Sequence, residues 1–567
     1  MKWKSLLIAF FSFMVLCVPS CVAAGGSSTD STVNSNDSEV SSYEKDEDGF
    51  CVLEDGYFDN SVDPSDKGEV SQVKVAPLCD GIDIYKKMRL YVAGVQVPLY
   101  QVMVNESHAF DAEAKNRIQN AYASVSLKGK AEFSLQCGFN PQNDCTIRPS
   151  SLGVSPKFDE NRRVVKFTIT TPGQYTIEFR SSRALHLFVD ELKEETYNSS
   201  NCVYFGPGIH DSSNDSRINS SNIVNLKSNQ TAYLASGAFV KATFSSYSSS
   251  NVSILGPGVI LLSGFTRSVD PDEHTLGIDL SFVTGARLQD FSIIDPAGWG
   301  MNLYFDSDVD ISNCKIISSR ANGDGISVQS CQDVHVSGCF VRTYDDSLVV
   351  KNYPMWSDKS VEGVTKNIHF ESCLIWTDLA QSMEVGYETV GETMEDILFN
   401  DITVLHNNHL AIFSIHNANN AHIKNVTFSN ITIENADEVN NGGKRKILDF
   451  CNVFHPTWSV NHKVTSLGDI DGVNVKNVKV IKAVQGLCLS INGTSETRSA
   501  YPNVEHLVKN VSIEDFEIYG SVLARPNDII DESLDENVSF TKSGDPVTGA
   551  SIKTSDVSSF GSNIQAI

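Results

Sequence analysis

Three aspartates stand within one apolar stretch of the chain, residues 321–352 (ANGDGISVQSCQDVHVSGCFVRTYDDSLVVKN). Asp324 follows a glycine, and Asp345 and Asp346 form a pair that begins 21 residues further along. Carboxyl groups that lie close together raise one another's pKa, so at least one keeps its proton near neutral pH. Such an acid can protonate a leaving group while a neighbouring carboxylate activates water. The stretch therefore predicts acid–base chemistry, provided that the fold brings the three side chains together.

An internal repeat surrounds these aspartates and indicates how the chain places them. Its core is apolar-x-apolar-x-x-apolar-x-apolar, with Asn, Asp, Gly or Ser usually in fifth place. The shorter steps between copies, 23–34 residues, are too small for a four-stranded propeller blade, which takes about 40. They fit one coil of a parallel β-helix, whose coils bury their apolar faces by stacking. The copies begin at Val252 (a weaker one), Ala286, Val309, Val334, Ile368, Ile397, Val426, Val473 and Val511.

The composition changes along the chain and predicts an all-β protein, a right-handed parallel β-helix preceded by a small β-sandwich. Short alternating apolar runs separated by turn residues indicate the sandwich; the segment Phe110–Tyr122 within it has a weak helical pattern. A stretch rich in Ser, Asp and Glu before the sandwich has the composition of a solvated linker. The predicted segments are a signal peptide (1–24), this linker (25–72), the β-sandwich (73–195), a catalytic β-helix (196–525) and a polar tail (526–567).

The repeat places the aspartates on neighbouring coils. It aligns Asp324-Gly-Ile-Ser-Val with Asp346-Ser-Leu-Val-Val, and adjacent strands lie about 4.8 Å apart. Asp324 and Asp346 should therefore be side by side, with Asp345 next to them. The same alignment places Cys314, Cys339 and Cys373 at one repeat position, where we expect a buried row of thiols.

The first residues predict export. Lys2 and Lys4 precede the apolar run Leu6–Val18, and small residues follow at a cleavage position, as in a secretory signal peptide. We expect a secreted, extracellular glycoprotein, because the chain has 12 Asn-x-Ser/Thr sequons. Removal of the signal peptide leaves 11 of the 13 cysteines. Export permits disulfides among them, and Cys137 with Cys145 is a candidate local bridge.

The net charge of −26 argues against nucleic acid and anionic membranes as partners. No second apolar run is long enough to span a bilayer, and we expect a monomer that acts on a polysaccharide without a metal or cofactor. A calcium site is the alternative interpretation of the clustered carboxylates. Any single Asp at a strand start also has a purely structural explanation.

The Gly323-Asp324-Gly325 turn and the run DDSLVVKN resemble the active-site coils of family 28 glycoside hydrolases, the polygalacturonase family, and of family 49, the dextranases and isopullulanases. The segments TIRPSSLGVSPKF, VYFGPGIH and GWGMNLYF are also similar to these families, so that the resemblance covers roughly residues 145–435. It implies an inverting glycosidase on a β-helix, with Asp345 as general acid and with Asp324 and Asp346 activating water. Inversion requires carboxyl groups about 6.5–9.5 Å apart.

Two family motifs are missing, which affects the expected substrate. Polygalacturonases carry Gly-His-Gly on the coil after the aspartate pair, where this chain reads LAQSMEVGYET, and their Arg-Ile-Lys motif is replaced by AIFSIHN. Arg or Lys is the usual partner of a sugar carboxylate, so we expect a neutral or weakly charged glycan. The candidate substrate-binding residues are Trp299, Arg342, Lys351, Gln381, Glu384, His409 and His416.

Two other functions remain open at this point. A calcium-dependent polysaccharide lyase on the same fold would use a basic residue such as Lys351 or Arg342 to abstract a proton. A β-helix that binds carbohydrate without cleaving it is the second alternative.

Overall fold

A computed structural model of the chain describes residues 43–58, 72–180, 183–194, 199–267, 275–352, 363–436, 445–455, 459, 466–483, 487–496, 504–518, 521–522, 530–533, 535–542 and 545–546. The predicted signal peptide and most of the predicted linker lie outside these residues. The predicted segment boundaries stay predictions.

Two mainly antiparallel sheets form a β-sandwich around a core of alternating apolar residues. One sheet has six strands: Gln72–Val75, Tyr100–Asn105, Arg117–Lys128, Cys145–Arg148, Gly173–Phe179 and Arg183–Glu191. The other has five: Met88–Val92, Val95–Val97, Ala131–Cys137, Lys157–Asp159 and Val164–Ile169. Short 3-10 turns lie at Ser150–Leu152 and Ser199–Asn201.

The remaining strands stack in parallel as successive coils of a β-helix, in a 22-stranded and an 11-stranded sheet. The 11-stranded sheet carries the aspartates and is called the groove sheet. Its strands are Ile223–Asn225, Thr243–Tyr247, Ile278–Ser281, Met301–Tyr304, Ile326–Gln329, Leu348–Asn352, Met383–Thr389, Phe413–Asn417, Arg445–Asn452, Leu487–Asn492 and Ile530–Ser533.

The 22-stranded sheet completes the coils, and a small hairpin pairs Thr494–Glu496 with Val504–His506. The predicted all-β class, with a parallel β-helix, is confirmed. The strands of the large sheet are Cys202–Phe205, Gly208–His210, Thr231–Leu234, Ala238–Val240, Ser250–Leu255, Val259–Leu261, Thr284–Gln289, Ser292–Ile294, Ser307–Ser312, Lys315–Ile317, Gln332–Ser337, Phe340–Thr343, Gly363–Glu371, Leu374–Thr377, Gly391–Asn400, Thr403–Asn407, His422–Ile433, Ile470–Val480, Val508–Ile518, Ser521–Val522, Asp535–Lys542 and Asp545–Pro546.

The sequence repeat and the strand register coincide. All nine repeat starts, from Val252 to Val511, pair in sequence order across the large sheet. The fifth residue of every copy has a left-handed backbone, for example Asn313 (φ 51°), Gly338 (φ 59°) and Asn430 (φ 57°). Gly, Asn and Asp accept this conformation at the least cost, which explains their recurrence at the fifth place.

The sixth place of the repeat points into the β-helix. Cys314, Cys339 and Cys373 occupy it on consecutive coils and are fully buried in the main core, as the repeat predicted. The candidate bridge between Cys137 and Cys145 is not present, because both are free thiols. Each contributes instead to the apolar core of the β-sandwich.

We expect the three ladder thiols to resist alkylation in the folded protein, because iodoacetamide needs access to a thiolate. At pH 8.5, mass spectrometry should find label first on the half-buried Cys202 and Cys451. Label should reach Cys314, Cys339 and Cys373 only after denaturation. Equal labelling of both groups in the native state would contradict the buried row.

Two details differ from the sequence predictions. Residues 110–116 form no helix, because Asp111 accepts backbone N–H bonds from Lys115 and Asn116 (3.0 and 2.7 Å) and closes a loop. The polar tail also contains strand Asp535–Lys542, which pairs in parallel with Val508–Ile518. Among the described residues, no helix has the length and hydropathy needed to cross a bilayer.

Candidate active site

One row of side chains precedes four consecutive strands of the groove sheet. Met301, Ile326, Leu348 and Met383 are paired in register. The residues two places earlier on each coil are Trp299, Asp324, Asp346 and Gln381. Asp324 and Asp346 therefore occupy equivalent places on adjacent coils, as the repeat predicted. The backbone N–H of Gly325 donates to the carbonyl of Asp346 (2.8 Å), which fixes this register.

Asp324 is almost fully buried, with 2% of its surface exposed. Burial raises the pKa of its carboxyl to about 7, with Lys351 opposing the increase and the Asp345 charge adding to it. The ammonium of Lys351 lies 3.1 Å from Asp324 Oδ2. Asp324 is thus a buried carboxyl group in contact with a cation.

Asp345 and Asp346 are each half-buried and face the same region. Asp345 Oδ2 accepts the backbone N–H of Asn322 (2.8 Å), and Asp346 Oδ1 accepts that of Gln381 (3.0 Å). Burial raises the pKa of both carboxyls, and for Asp346 the charges of Asp345 and Asp324 raise it well above the ordinary range. The three carboxyls therefore titrate as one interacting group, in which the pKa of each is raised.

Lys351 is the cation at the centre of this cluster. Its ammonium also lies 3.8 Å from Glu388 Oε2 and 5.2 Å from the centre of the Trp299 ring. The predicted residues Lys351 and Trp299 therefore meet beside Asp324. Because Lys351 already supplies positive charge between two carboxylates, the donor set here does not favour a calcium ion.

A second charged group lies two coils further along the groove sheet. His416 Nδ1 contacts both oxygens of Glu384 (2.8 and 3.0 Å), and His416 Nε2 lies 3.4 Å from Asp449 Oδ2. Burial alone would lower the pKa of His416, yet the Glu384 carboxylate outweighs it and raises that pKa well above its ordinary value. The His416 ring stacks on Tyr387 at 4.3 Å. Glu384 is fully buried and fixes the His416 ring through these contacts. A fully buried carboxylate does not fit the predicted sugar contact.

The prediction that Arg342 binds substrate is corrected by the structure. Arg342 is fully buried where the β-sandwich packs on the coils. It contacts Asp378 (3.1 Å) and Glu106 (3.2 Å), and its guanidinium lies 3.7 Å above the Trp376 ring. Side chains alternate along the strand Phe340–Thr343, and that of Arg342 points at the sandwich. Arg342 therefore belongs to the interface between the sandwich and the coils.

His409 lies on the flank of the row, in a turn equivalent to that of Tyr344. Its ring stacks on His108 from the β-sandwich at 5.4 Å. Burial, together with the nearby His108, lowers the pKa of His409 to about 4. His409 is therefore neutral in this setting.

Four charged residues of the groove were not selected from the sequence. Arg267 donates to the carbonyl of Ala321 (2.7 Å) and to Asn322 Oδ1, and its charge acts on Asp345. No repeat copy contains Arg267, so only its three-dimensional placement reveals it. Glu388 lies four residues after Glu384 on one strand, and Asp449 lies two residues before Cys451 on another. Because side chains alternate along a strand, both point away from the interior of the β-helix. The fourth is Lys446, which lies 2.8 Å from Asp449 Oδ2.

Comparisons with known proteins show which family the chain resembles. The family model described as glycosyl hydrolases family 28 matches residues 212–442, which contain all three aspartates. The chain is a glycoside hydrolase similar to family 28. No curated protein sequence matches it.

Solved structures similar to this hydrolase include Dex49A from Penicillium minioluteum, with 12% identity and a TM-score of 0.54. That similarity covers 82% of the hydrolase and 96% of Dex49A. A family 28 exopolygalacturonase from Yersinia enterocolitica is 13% identical, with a TM-score of 0.38 and coverage of 84% and 97%. The predicted resemblance to β-helix glycoside hydrolases is confirmed.

We expect Asp346→Asn to stabilise the hydrolase above pH 7. The folded state raises the pKa of Asp346, so it binds a proton that the unfolded chain releases above about pH 4. The stabilisation from that proton is present at low pH and is lost as pH rises towards the folded-state pKa. Asparagine removes this loss, and the unfolding temperature should rise by several degrees at pH 8 and change little at pH 4.

The matched control is Asp310→Asn, at a carboxylate whose side chain is 55% exposed on the large sheet. Calorimetry at both pH values should show no pH-dependent gain for the control. An equal shift of Asp346→Asn at pH 4 and pH 8 would contradict the proton linkage.

Proposed function

We propose that this polysaccharide hydrolase inverts the anomeric centre with Asp324, Asp345 and Asp346. The observation that carries the proposal is the carboxyl cluster, in which adjacent coils hold three interacting acids with raised pKa values. One acid must be protonated and another ionised for direct displacement by water. The match to family 28 over the same coils supports this reaction.

The roles follow the family resemblance and agree with the local contacts. Asp345 is the general acid that protonates the leaving oxygen. Asp324 is held near Lys351, whose positive charge favours the ionised form. Asp324 activates the water, and Asp346, which lies beside it on the neighbouring coil with its pKa raised well above the ordinary range, holds that water in place. Gln381 contacts Asp346, Lys351 contacts Asp324 and Trp299 lies beside Lys351, so these three residues would orient the sugar.

The charges of the described groove favour a neutral glycan. Three of the cations there already have a carboxylate close to them: Lys351 has Asp324, His416 has Glu384, and Lys446 has Asp449. A uronate would compete with these carboxylates and add negative charge to an acidic site. Neutral polysaccharides such as dextran are therefore expected substrates, while polygalacturonate is disfavoured.

An activity screen tests the proposal. Purified protein is incubated with pectin, dextran, pullulan, galactans and xylans, and the products are followed by NMR from the first minutes. We expect a neutral polymer to be hydrolysed and the first product to have the opposite anomeric configuration. Retention of configuration would overturn the assigned roles.

A lyase reaction is the competing enzyme function, and the structure disfavours its base. Lys351 forms an ion pair with Asp324 (3.1 Å), and Arg342 lies at the sandwich interface. A product that absorbs in the ultraviolet, together with loss of activity in chelator, would replace the hydrolase proposal. Secretion belongs to the proposal through the N-terminal signal pattern, and detection of the mature N-terminus after export tests it.

A further inference from the structure

A loop of the β-sandwich lies along the turns that lead into the row of aspartates. The turns contain Ala321, Tyr344 and Leu379, each two or three residues before a member of the row, and His409 occupies the equivalent turn on the next coil. Phe110 of the sandwich packs against the apolar cluster that Ala321, Tyr344 and Leu379 form. His108 of the same loop stacks on His409.

Tyr344 connects this loop directly to the catalytic turn. Its hydroxyl donates to the carbonyl of Ala109 (2.6 Å) and accepts the backbone N–H of Asp111 (2.9 Å). Tyr344 is fully buried and immediately precedes Asp345 and Asp346. The loop can act as a fixed support, because Asp111 binds Asn105, Lys115 and Asn116 within it.

A second connection reaches the turn that binds Asp345. Asn322 donates its backbone N–H to Asp345 Oδ2, and the preceding Ser319 donates to the buried Asp295 (2.6 Å). Asp295 also pairs with Arg320 (3.0 Å) and with Arg117 of the sandwich (3.1 Å). Both turns around Asp345 are therefore attached to the sandwich.

We propose that the sandwich loop 105–117 is a positioning element of the active site, with Tyr344 as the positioning residue that fixes Asp345 and Asp346. The inference rests on the proposed roles of these aspartates. A catalytic acid displaced by about 1 Å can lose on the order of a hundredfold in rate. Without its contacts to the loop, the turn that contains Asp345 and Asp346 would still form, but its carboxyl groups would no longer be held in their positions.

The test compares Tyr344→Phe with Tyr175→Phe. Tyr175 is the matched control, because it is equally buried and its hydroxyl also donates to a backbone carbonyl, that of Thr171 (2.7 Å). We expect Tyr344→Phe to lower kcat about tenfold or more, to shift the alkaline limb of the pH profile and to leave KM within about twofold. Tyr175→Phe should retain wild-type kinetics. Wild-type kcat and pH profile in Tyr344→Phe would overturn the inference.

A measurement that needs no turnover separates this inference from the proposed function. Amide hydrogen exchange should accelerate in peptides covering residues 318–325 and 343–348 in Tyr344→Phe and in Phe110→Ala, and not in Tyr175→Phe. Unchanged exchange would overturn the positioning role. The product configuration and the Asp345 variant test only the proposed function. If the wild-type protein hydrolyses no polymer, the proposed function is refuted. The exchange rates would still show whether the loop holds the two turns in place.

Discussion

Asp345→Asn is expected to lower kcat by roughly 10²–10⁴-fold, the usual contribution of a general acid. Asparagine keeps the size of the side chain and can still occupy the site beside Asn322, so substrate affinity should change only a few-fold. The amide N–H is far too weak an acid to protonate the leaving oxygen. Initial rates on the polymer identified by the screen, fitted for kcat and KM, measure the effect.

Asp310→Asn serves as the control for this substitution, because it removes an exposed carboxylate on the neighbouring sheet. It should retain wild-type rates. Substrates with a better leaving group should lose less rate in Asp345→Asn, since they need less protonation. Wild-type kcat in Asp345→Asn would contradict the role assigned to Asp345. Glycan binding that is unchanged by the substitution, in a parent protein without activity, would favour the carbohydrate-binding alternative.

Arg342→Met is expected to cost about 3–5 kcal/mol of stability, the range seen when one partner of a buried ion pair is removed. Methionine fills much of the volume above Trp376, but it leaves the fully buried Asp378 without its guanidinium. Burial already raises the pKa of Asp378 to about 6 against the lowering effect of Arg342. Without Arg342 that pKa rises further, so the stability lost should be larger at pH 8 than at pH 5.

Calorimetry at both pH values measures this loss. Arg180→Met provides the control, because the Arg180 side chain is 82% exposed in its ion pair with Asp144 and such pairs contribute about 1 kcal/mol or less. A loss for Arg342→Met no greater than for the control would show that the interface does not depend on the buried charge.

The repeat predicted the β-helix because its signals are local. Each eight-residue repeat core contains the alternating apolar residues that point inward. It also contains, in fifth place, the residue type that accepts a left-handed backbone. The alignment of Asp324 with Asp346 followed from the same frame. Lys351 and Gln381 were also found near the aspartates, because each lies within one coil of them.

Contacts between segments that lie far apart in the sequence could not be predicted from the repeat. Arg342 was assigned to the groove because it lies three residues before Asp345, yet strand alternation and the sandwich direct it to Asp378 and Glu106. Arg267 approaches Asp345 from a loop 78 residues earlier, and no periodic pattern marks it. The weak helical pattern at Phe110–Tyr122 forms no helix for a related reason, since the side chain of Asp111 competes for the backbone N–H groups.

The long sequence separation between the sandwich and its partners on the coils has a consequence for biosynthesis. Glu106 and Arg148 meet Arg342 and Glu434, which are synthesised 236 and 286 residues later. Domains fold as the chain emerges, the N-terminal one first. The sandwich can therefore fold before these coils are synthesised, so that Glu106 and Arg148 are in place when the coils that carry Arg342 and Glu434 form.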